Sequence, residues 1–163
     1  MTNRLFNIAK LSLLTGVSGI KWDGDIRLAL LMTNTTVDTE NDGIEVVSDF
    51  ATLDEFDGAG YSRLALSTAT PAVAIDTAID GVKLTCTSHP VFPSLSAGAR
   101  SVAGVLYYWN VLADDDSNVP FLYAPYTTPR VPDGSDFTIE LPSDKVIISA
   151  FGVAPATSPV LLD

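Results

Sequence analysis

Thiol or imidazole chemistry in this chain has little to draw on: His89 is the single histidine and Cys86 the single cysteine. Both fall at the end of GVKLTCTSHP, whose clean alternation predicts a strand over residues 81 to 88. Residues three apart on a strand project from opposite faces, so the two are badly placed to act as nucleophile and base. Cys86 shares its face with Val82 and Leu84, which predicts a buried, inert thiol. The same inventory leaves no three-ligand His/Cys set for zinc. Carboxylates are plentiful, and Asp38, Glu40, Asp42 and Gly43 spell D-x-E-x-D-G with Asp49 at the twelfth position of a calcium-type loop. Glu at the third position and Asp at the twelfth depart from that pattern, and TNTT precedes the segment where a helix should stand. A solvated polar loop is the expectation. Asp114, Asp115 and Asp116 could also hold a cation, but a hairpin tip produces the same letters. There is no glycine-rich phosphate loop and no nucleophile elbow, and nothing singles out a pair of catalytic acids. The expectation is a protein that is not an enzyme and holds no cofactor or metal.

Binding is the other chemistry these residues could do. Tyr107, Tyr108, Trp109, Phe121, Tyr123 and Tyr126 cluster in two neighbouring segments. They suit a carbohydrate platform or, more commonly, core and subunit interface, where such rings combine area with a polar tip. The elements that position them centre on RSVAGVLYYWNVL at residues 100 to 112. Read at period two, one face carries Val102, Gly104, Leu106, Tyr108 and Leu112, and the other Ala103, Val105, Tyr107, Trp109 and Val111. Neither face is polar, so this should be a central strand covered on both sides by a helix, a second sheet or another subunit.

The remaining chain reads as strands and turns. Residues 3 to 14 have helical spacing, ended by Gly16 and Gly19. Arg4 and Lys10 before LSLLTGVSGI imitate a signal peptide, but Thr15, Gly16, Ser18 and Gly19 interrupt the apolar run and no A-x-A site follows. IRLALLM places Ile26, Leu28, Leu30 and Met32 on one face of a strand. Residues 33 to 58 form a polar excursion with a short helical turn expected near Ser48 to Phe56. GYSRLALST, PAVAI, VPFLYAPY, DFTIEL and VIISAFGV follow as strands; Pro120 and Pro125 mark the third of these as edge or bulged. Many short strands, one helix and turn signals between them predict an all-β fold, a β-sandwich of jelly-roll or Greek-key type with a short N-terminal helix. One domain is expected over residues 1 to 163, with an N-terminal helical arm to about residue 16 and an extended tail over 152 to 163. Val160, Leu161 and Leu162 at its end are candidate contact residues beside the aromatics.

Composition narrows the partners. Nine basic against 20 acidic residues leave a net charge of −11, which argues against nucleic acid or an anionic membrane as the main partner. With 47% apolar and 18% charged residues the chain has a globular composition and enough length for a core without staples. One cysteine permits no internal disulfide, which fits manufacture in a reducing cytoplasm.

The N-terminal helix NRLFNIAKLSLLTG, the strand DIRLALLM, the polar excursion and GAGYSRLAL together resemble small structural proteins of tailed-phage virions. SVAGVLYYWNVL and DFTIELP extend the likeness, which covers most of residues 3 to 150, with Gly58, Gly60, Tyr61 and Arg63 its most specific letters. The closest similarity in pattern is to head decoration, or cement, proteins with a jelly-roll-like sandwich. The resemblance implies a homotrimer on the outer capsid surface, made in the host cytoplasm, that binds the major capsid protein and clamps neighbouring coat subunits. A tail or fibre module, or a carbohydrate-binding module, is the alternative.

Overall fold

The computed structural model describes residues 4–15, 25–40, 42–77, 81–141 and 146–150. The chain enters as a two-residue strand β1 (Arg4–Leu5) and a helix α1 (Asn7–Thr15), then runs into β2 (Ile26–Met32). After the 33–58 excursion come β3 (Leu64–Ala65), β4 (Pro71–Asp76), β5 (Gly81–Cys86) and β6 (Val91–Phe92). The central strand β7 (Val102–Trp109) pairs with the long β8 (Val119–Arg130), and β9 (Phe137–Thr138) and β10 (Val146–Ala150) follow. The protein is thus mostly β with one short N-terminal helix. Its sheets are antiparallel and none closes: five strands in the order β1–β8–β7–β2–β3, three as β10–β5–β4, and the pair β6–β9.

Both faces of β7 are covered, as its composition demands. On one side Val105, Tyr107 and Trp109 join Ile26, Leu28, Leu30 and Met32 of β2 and meet Leu84, Cys86, Phe92 and Phe137 from the smaller sheets. On the other, Leu106 and Tyr108 join Ala29, Leu31 and Tyr123 beneath Phe6, Val37, Ile44, Val47 and Phe50. The cover on this second face is therefore largely the polar-looking excursion, whose Val37, Ile44, Val47 and Phe50 turn inward, with Phe6 and Phe50 edge to face at 5.3 Å. Strict alternation fails at Val102, which sits with Val105 on the first face. A register shift between Val102 and Gly104 against β8 causes this, and a second lies between Tyr107 and Tyr108.

Several expected elements change length. GYSRLALST is a strand only at Leu64–Ala65, because Leu66–Ala69 tightens into a 3-10 turn ending on Thr70 at φ 49°. DFTIEL is a strand only at Phe137–Thr138, although Phe137 and Ile139 are buried as expected. β8 keeps Pro120 and Pro125 inside a twelve-residue strand that lies between β7 and β1, with Pro120 opposite Tyr108 and Pro125 opposite Gly104 beside the register shifts. The helical turn of the excursion is a single 3-10 turn at Val47–Asp49. The N-terminal segment read as an arm is docked: Arg4 and Leu5 pair with Tyr123 and Leu122, and Phe6 and Ala9 are fully buried. The tail over 152–163, with Val160, Leu161 and Leu162, lies outside the described residues.

Candidate functional site

The GAGYSR segment sits where the outer edge of β2 changes partners. Leu31 bridges Glu55, while Arg27 and Leu28 pair with Ala65 and Leu64 of β3. Between the two, residues 57 to 63 leave the ladder. The carbonyl of Leu30 accepts from Phe56 N at 2.9 Å, and the Leu30 N–H would be left without a strand partner there. It donates instead to Tyr61 Oη at 3.2 Å, and that hydroxyl donates to Glu55 Oε1 at 2.6 Å. One phenol thus completes a backbone ladder and orients a carboxylate, which answers the requirement that buried backbone groups be paired. The turn that delivers Tyr61 needs its glycines. Gly60 has φ +87°, and a Cβ on Gly58 would lie 2.3 Å from the carbonyl oxygen of Ser96.

Arg63 is the hub. Its guanidinium donates to Glu55 from Nε at 2.8 Å and from Nη2 at 2.6 Å, and to Asp115 Oδ2 from Nη2 at 2.8 Å. A further short contact joins Nη1 to Asp115 Oδ1. The group lies over the Tyr108 ring at 5.3 Å, with the Tyr108 hydroxyl 3.5 Å from Nη1. Arg63 is about a fifth exposed, so these bonds form in a partly desolvated setting where forked arginine–carboxylate pairing is strongest. Hydrogen bonds to Asp115 and then Glu55 hold the guanidinium firmly protonated despite burial. Arg63 in turn holds the Asp115 carboxyl below the usual range. Burial, with Glu55 alongside, pushes the Tyr61 phenol far up, and burial raises Tyr108 as well.

The hub ties three distant segments together. Asp115 belongs to the β7–β8 hairpin loop, and its carbonyl accepts from Ser48 N at 3.1 Å. The buried Asn118 holds the same loop, its carbonyl accepting from Val47 N at 2.8 Å and its Oδ1 from Val111 N at 3.0 Å. Two acids, Glu55 and Asp115, do face one another here, but across a guanidinium that engages both. Such a triad holds loops in place, because one guanidinium engages both carboxylates.

The residues singled out for chemistry have other employment. Cys86 is buried and desolvation pushes its thiol up to about 11. His89 Nδ1 accepts from Leu141 N at 3.1 Å. In the D-x-E-x-D-G loop, Glu40 accepts from Ala51 N at 3.1 Å and Asp42 from the Asn7 amide at 3.4 Å. Asp49 accepts from Val46 N at 3.0 Å and Glu45 N at 2.9 Å, bonds that lower its pKa. Among the described residues no three His, Cys, Asp or Glu side chains converge as a metal site would require.

Tyr107, Tyr108, Trp109, Phe121 and Tyr123 are all 2% exposed or less, so within this chain they form core and not a platform. Trp109 packs tilted against Phe121, ring centroids 4.4 Å apart. Tyr126 is half-buried against Phe137, with Arg130 over both rings at 5.5 and 5.0 Å. Their alternation foretold two covered faces; what covers the second one was not legible, because its apolar residues are spread thinly through a polar segment. Sequence reasoning marked Tyr61 and Arg63 by resemblance and Asp115 only as part of an acidic run, and it missed Glu55 and Asn118, which resemble ordinary loop residues until the fold brings them together. No protein-family model matches the chain, and no curated protein or solved structure matches it either.

Proposed function

We propose that this protein is a structural component of a tailed-phage virion, a decoration or cement protein that binds the outside of the head and stabilises contacts between coat subunits. The observation that carries the reading is the Glu55–Arg63–Asp115 hub with Tyr61. The letters most specific to the resemblance, Gly58, Gly60, Tyr61 and Arg63, are spent on fastening an excursion and a hairpin loop to the central sheet. That is the work of a scaffold whose loops must keep their shape. The finer fold reading, a sandwich of jelly-roll or Greek-key type, is supported by the core in which the five-stranded sheet meets residues of β5, β6 and β9. The acidic surface fits attachment to protein rather than to nucleic acid, and a homotrimer engaging the major capsid protein is the assembly we propose.

A carbohydrate-binding role loses its motive with the aromatics in the interior. A tail or fibre location keeps the same structural role and differs only in the partner. The test is co-sedimentation of the purified protein with phage heads stripped of accessory proteins, with tails as the parallel sample, and light scattering of the free protein. Saturable binding to heads and a trimer mass are expected. Binding to tails alone would move the protein to the tail, and binding to neither would overturn the virion reading.

A further inference from the structure

Asp-Gly pairs recur along the chain, at residues 23–24, 42–43, 57–58, 80–81 and 133–134. An aspartate before glycine carries a chemistry of its own. The glycine main-chain nitrogen can attack the aspartate side-chain carboxyl carbon, because no Cβ shields that nitrogen and its φ is free to turn. A C–N bond forms, the N–H proton and the carboxyl hydroxyl leave as water, and a succinimide ring closes. Water then opens the ring at either carbonyl. One opening restores aspartate; the other routes the main chain through the side-chain carboxyl, as isoaspartate. The water released is regained, so no other reactant is needed. A fold decides only whether the two atoms are free to meet.

The pairs at 42, 57 and 133 lie wholly within the described residues, and the latter two are pinned. Asp57 Oδ1 accepts from Ala99 N at 2.8 Å, and a Cβ on Gly58 would lie 2.3 Å from the Ser96 carbonyl oxygen. Gly134 N donates to the Leu95 carbonyl at 2.9 Å, and Asp133 Oδ1 accepts from Ser135 N at 3.1 Å and Oγ at 2.6 Å. The bonds to Ser135 lower the Asp133 pKa, which holds the carboxyl ionised when the reacting form is the neutral acid. The pair at 42 is open. Asp42 and Gly43 are both exposed, and Gly43 has φ +79° with nothing within 4 Å of a Cβ. No described residue accepts from the Gly43 N–H, and the Asp42 carboxylate meets only the Asn7 amide, at 3.4 Å. We infer that Asp42–Gly43 is a self-modification site, at which the folded protein converts slowly to isoaspartate with water as the sole co-reactant. Conversion stays local. On one side the Thr36 carbonyl accepts from Thr39 N and Glu40 N; on the other Asp49 accepts from Glu45 N and Val46 N, and Ile44 is buried. These anchors confine the added main-chain methylene to the turn. The site is independent of the virion reading, and its test needs no phage particle.

The test is incubation of the protein for weeks at neutral pH in water enriched in the heavy oxygen isotope, then digestion in ordinary water. Each ring opening leaves a heavy oxygen at the pair, placed by peptide fragmentation, and an isoaspartate-specific methyltransferase labels the isomer on the same peptides. Breaking the hydrogen bonds that pin the other two pairs slows them, so position 42 should take up heavy oxygen at least about tenfold faster than 57 or 133. In concentrated urea, where the fold restrains none of them, that advantage should vanish. Asp42→Glu, which would need a larger ring, should abolish uptake at 42 and leave the unfolding midpoint unchanged, as a surface substitution does. Asp23–Gly24 and Asp80–Gly81 include residues outside the described ones and do not enter the comparison. Equal uptake at 42, 57 and 133 in the folded protein, or an advantage that persists in urea, would each overturn the proposal. So would heavy oxygen at 42 without methyltransferase-reactive isoaspartate there.

Discussion

Arg63 shows how much one residue can hold when its partners come from different loops. Without it, Glu55 and Asp115 would face each other as bare carboxylates in a partly dry site. Breaking a buried pair costs several kcal/mol and an exposed one almost nothing, so for a side chain about a fifth exposed Arg63→Ala should cost about 2 kcal/mol. For a chain of this length that is a fall in Tm of about 4–8 °C, measurable by thermal or urea unfolding. The pH dependence has a definite sign. Arg63 lowers the folded-state pKa of Asp115, so the stability this provides is complete above the unfolded value of about 3.9. It is lost as pH falls through the lowered folded value. The gap between wild type and Arg63→Ala should therefore be constant near neutrality and shrink in acid below about pH 4; a gap that widens in acid would contradict the assignment.

At the scale of elements, the large features were legible and the small ones were not. β2 follows its alternation closely, with Ile26, Leu28, Leu30 and Met32 all in one cluster, because a paired strand between two layers imposes period two on every side chain. β7 declared itself central through the absence of a polar face. The letters of β7 did not show its register shifts against β8; Pro120 and Pro125 did, marking β8 as edge or bulged, and they stand beside those shifts. The shortened β3 and β9 show the same limit: hydrophobic alternation predicts which side chains turn inward, and long-range pairing decides how far a ladder runs. The hub was half legible, since Tyr61 and Arg63 stood out while Glu55 and Asp115 acquire their meaning only when residues 52 apart meet. Gly104 tests the element scale directly. It lies in β7 at the first register shift, and a Cβ there would come 2.7 Å from both the Ala124 carbonyl oxygen and the Tyr123 hydroxyl. Gly104→Ala should destabilise by about 1–3 kcal/mol through overpacking of the β7–β8 pair. Gly134→Ala, where a Cβ meets nothing within 4 Å, should lose about 1 kcal/mol or less through its positive φ alone. Equal losses in urea titrations of the two variants would show that β8 yields to the added methyl.

For the whole molecule, attachment to a virion as proposed above would depend on which parts are committed to the body. The N-terminal segment is committed, since β1 extends the main sheet and Phe6 fills the core beneath the excursion. Reach must therefore come from elsewhere, and β10 is the last described element, with residues 151 to 163 following it. That stretch contains Pro155 and Pro159 and ends in Val160, Leu161, Leu162 and Asp163. Proline disfavours helix and holds the preceding residue extended, and an extended segment spans about 3 Å per residue. Ten residues would reach on the order of 30 Å, far enough to touch a neighbouring subunit while the acidic body remains in solvent. Removing residues 154 to 163 should leave a folded β protein with an unchanged unfolding midpoint. Its affinity for the particle should fall about tenfold or more, the equivalent of burying one or two aliphatic side chains. Binding isotherms at matched concentration check this. Undiminished binding would assign attachment to the body alone, and a lowered unfolding midpoint would show that the segment packs into the core.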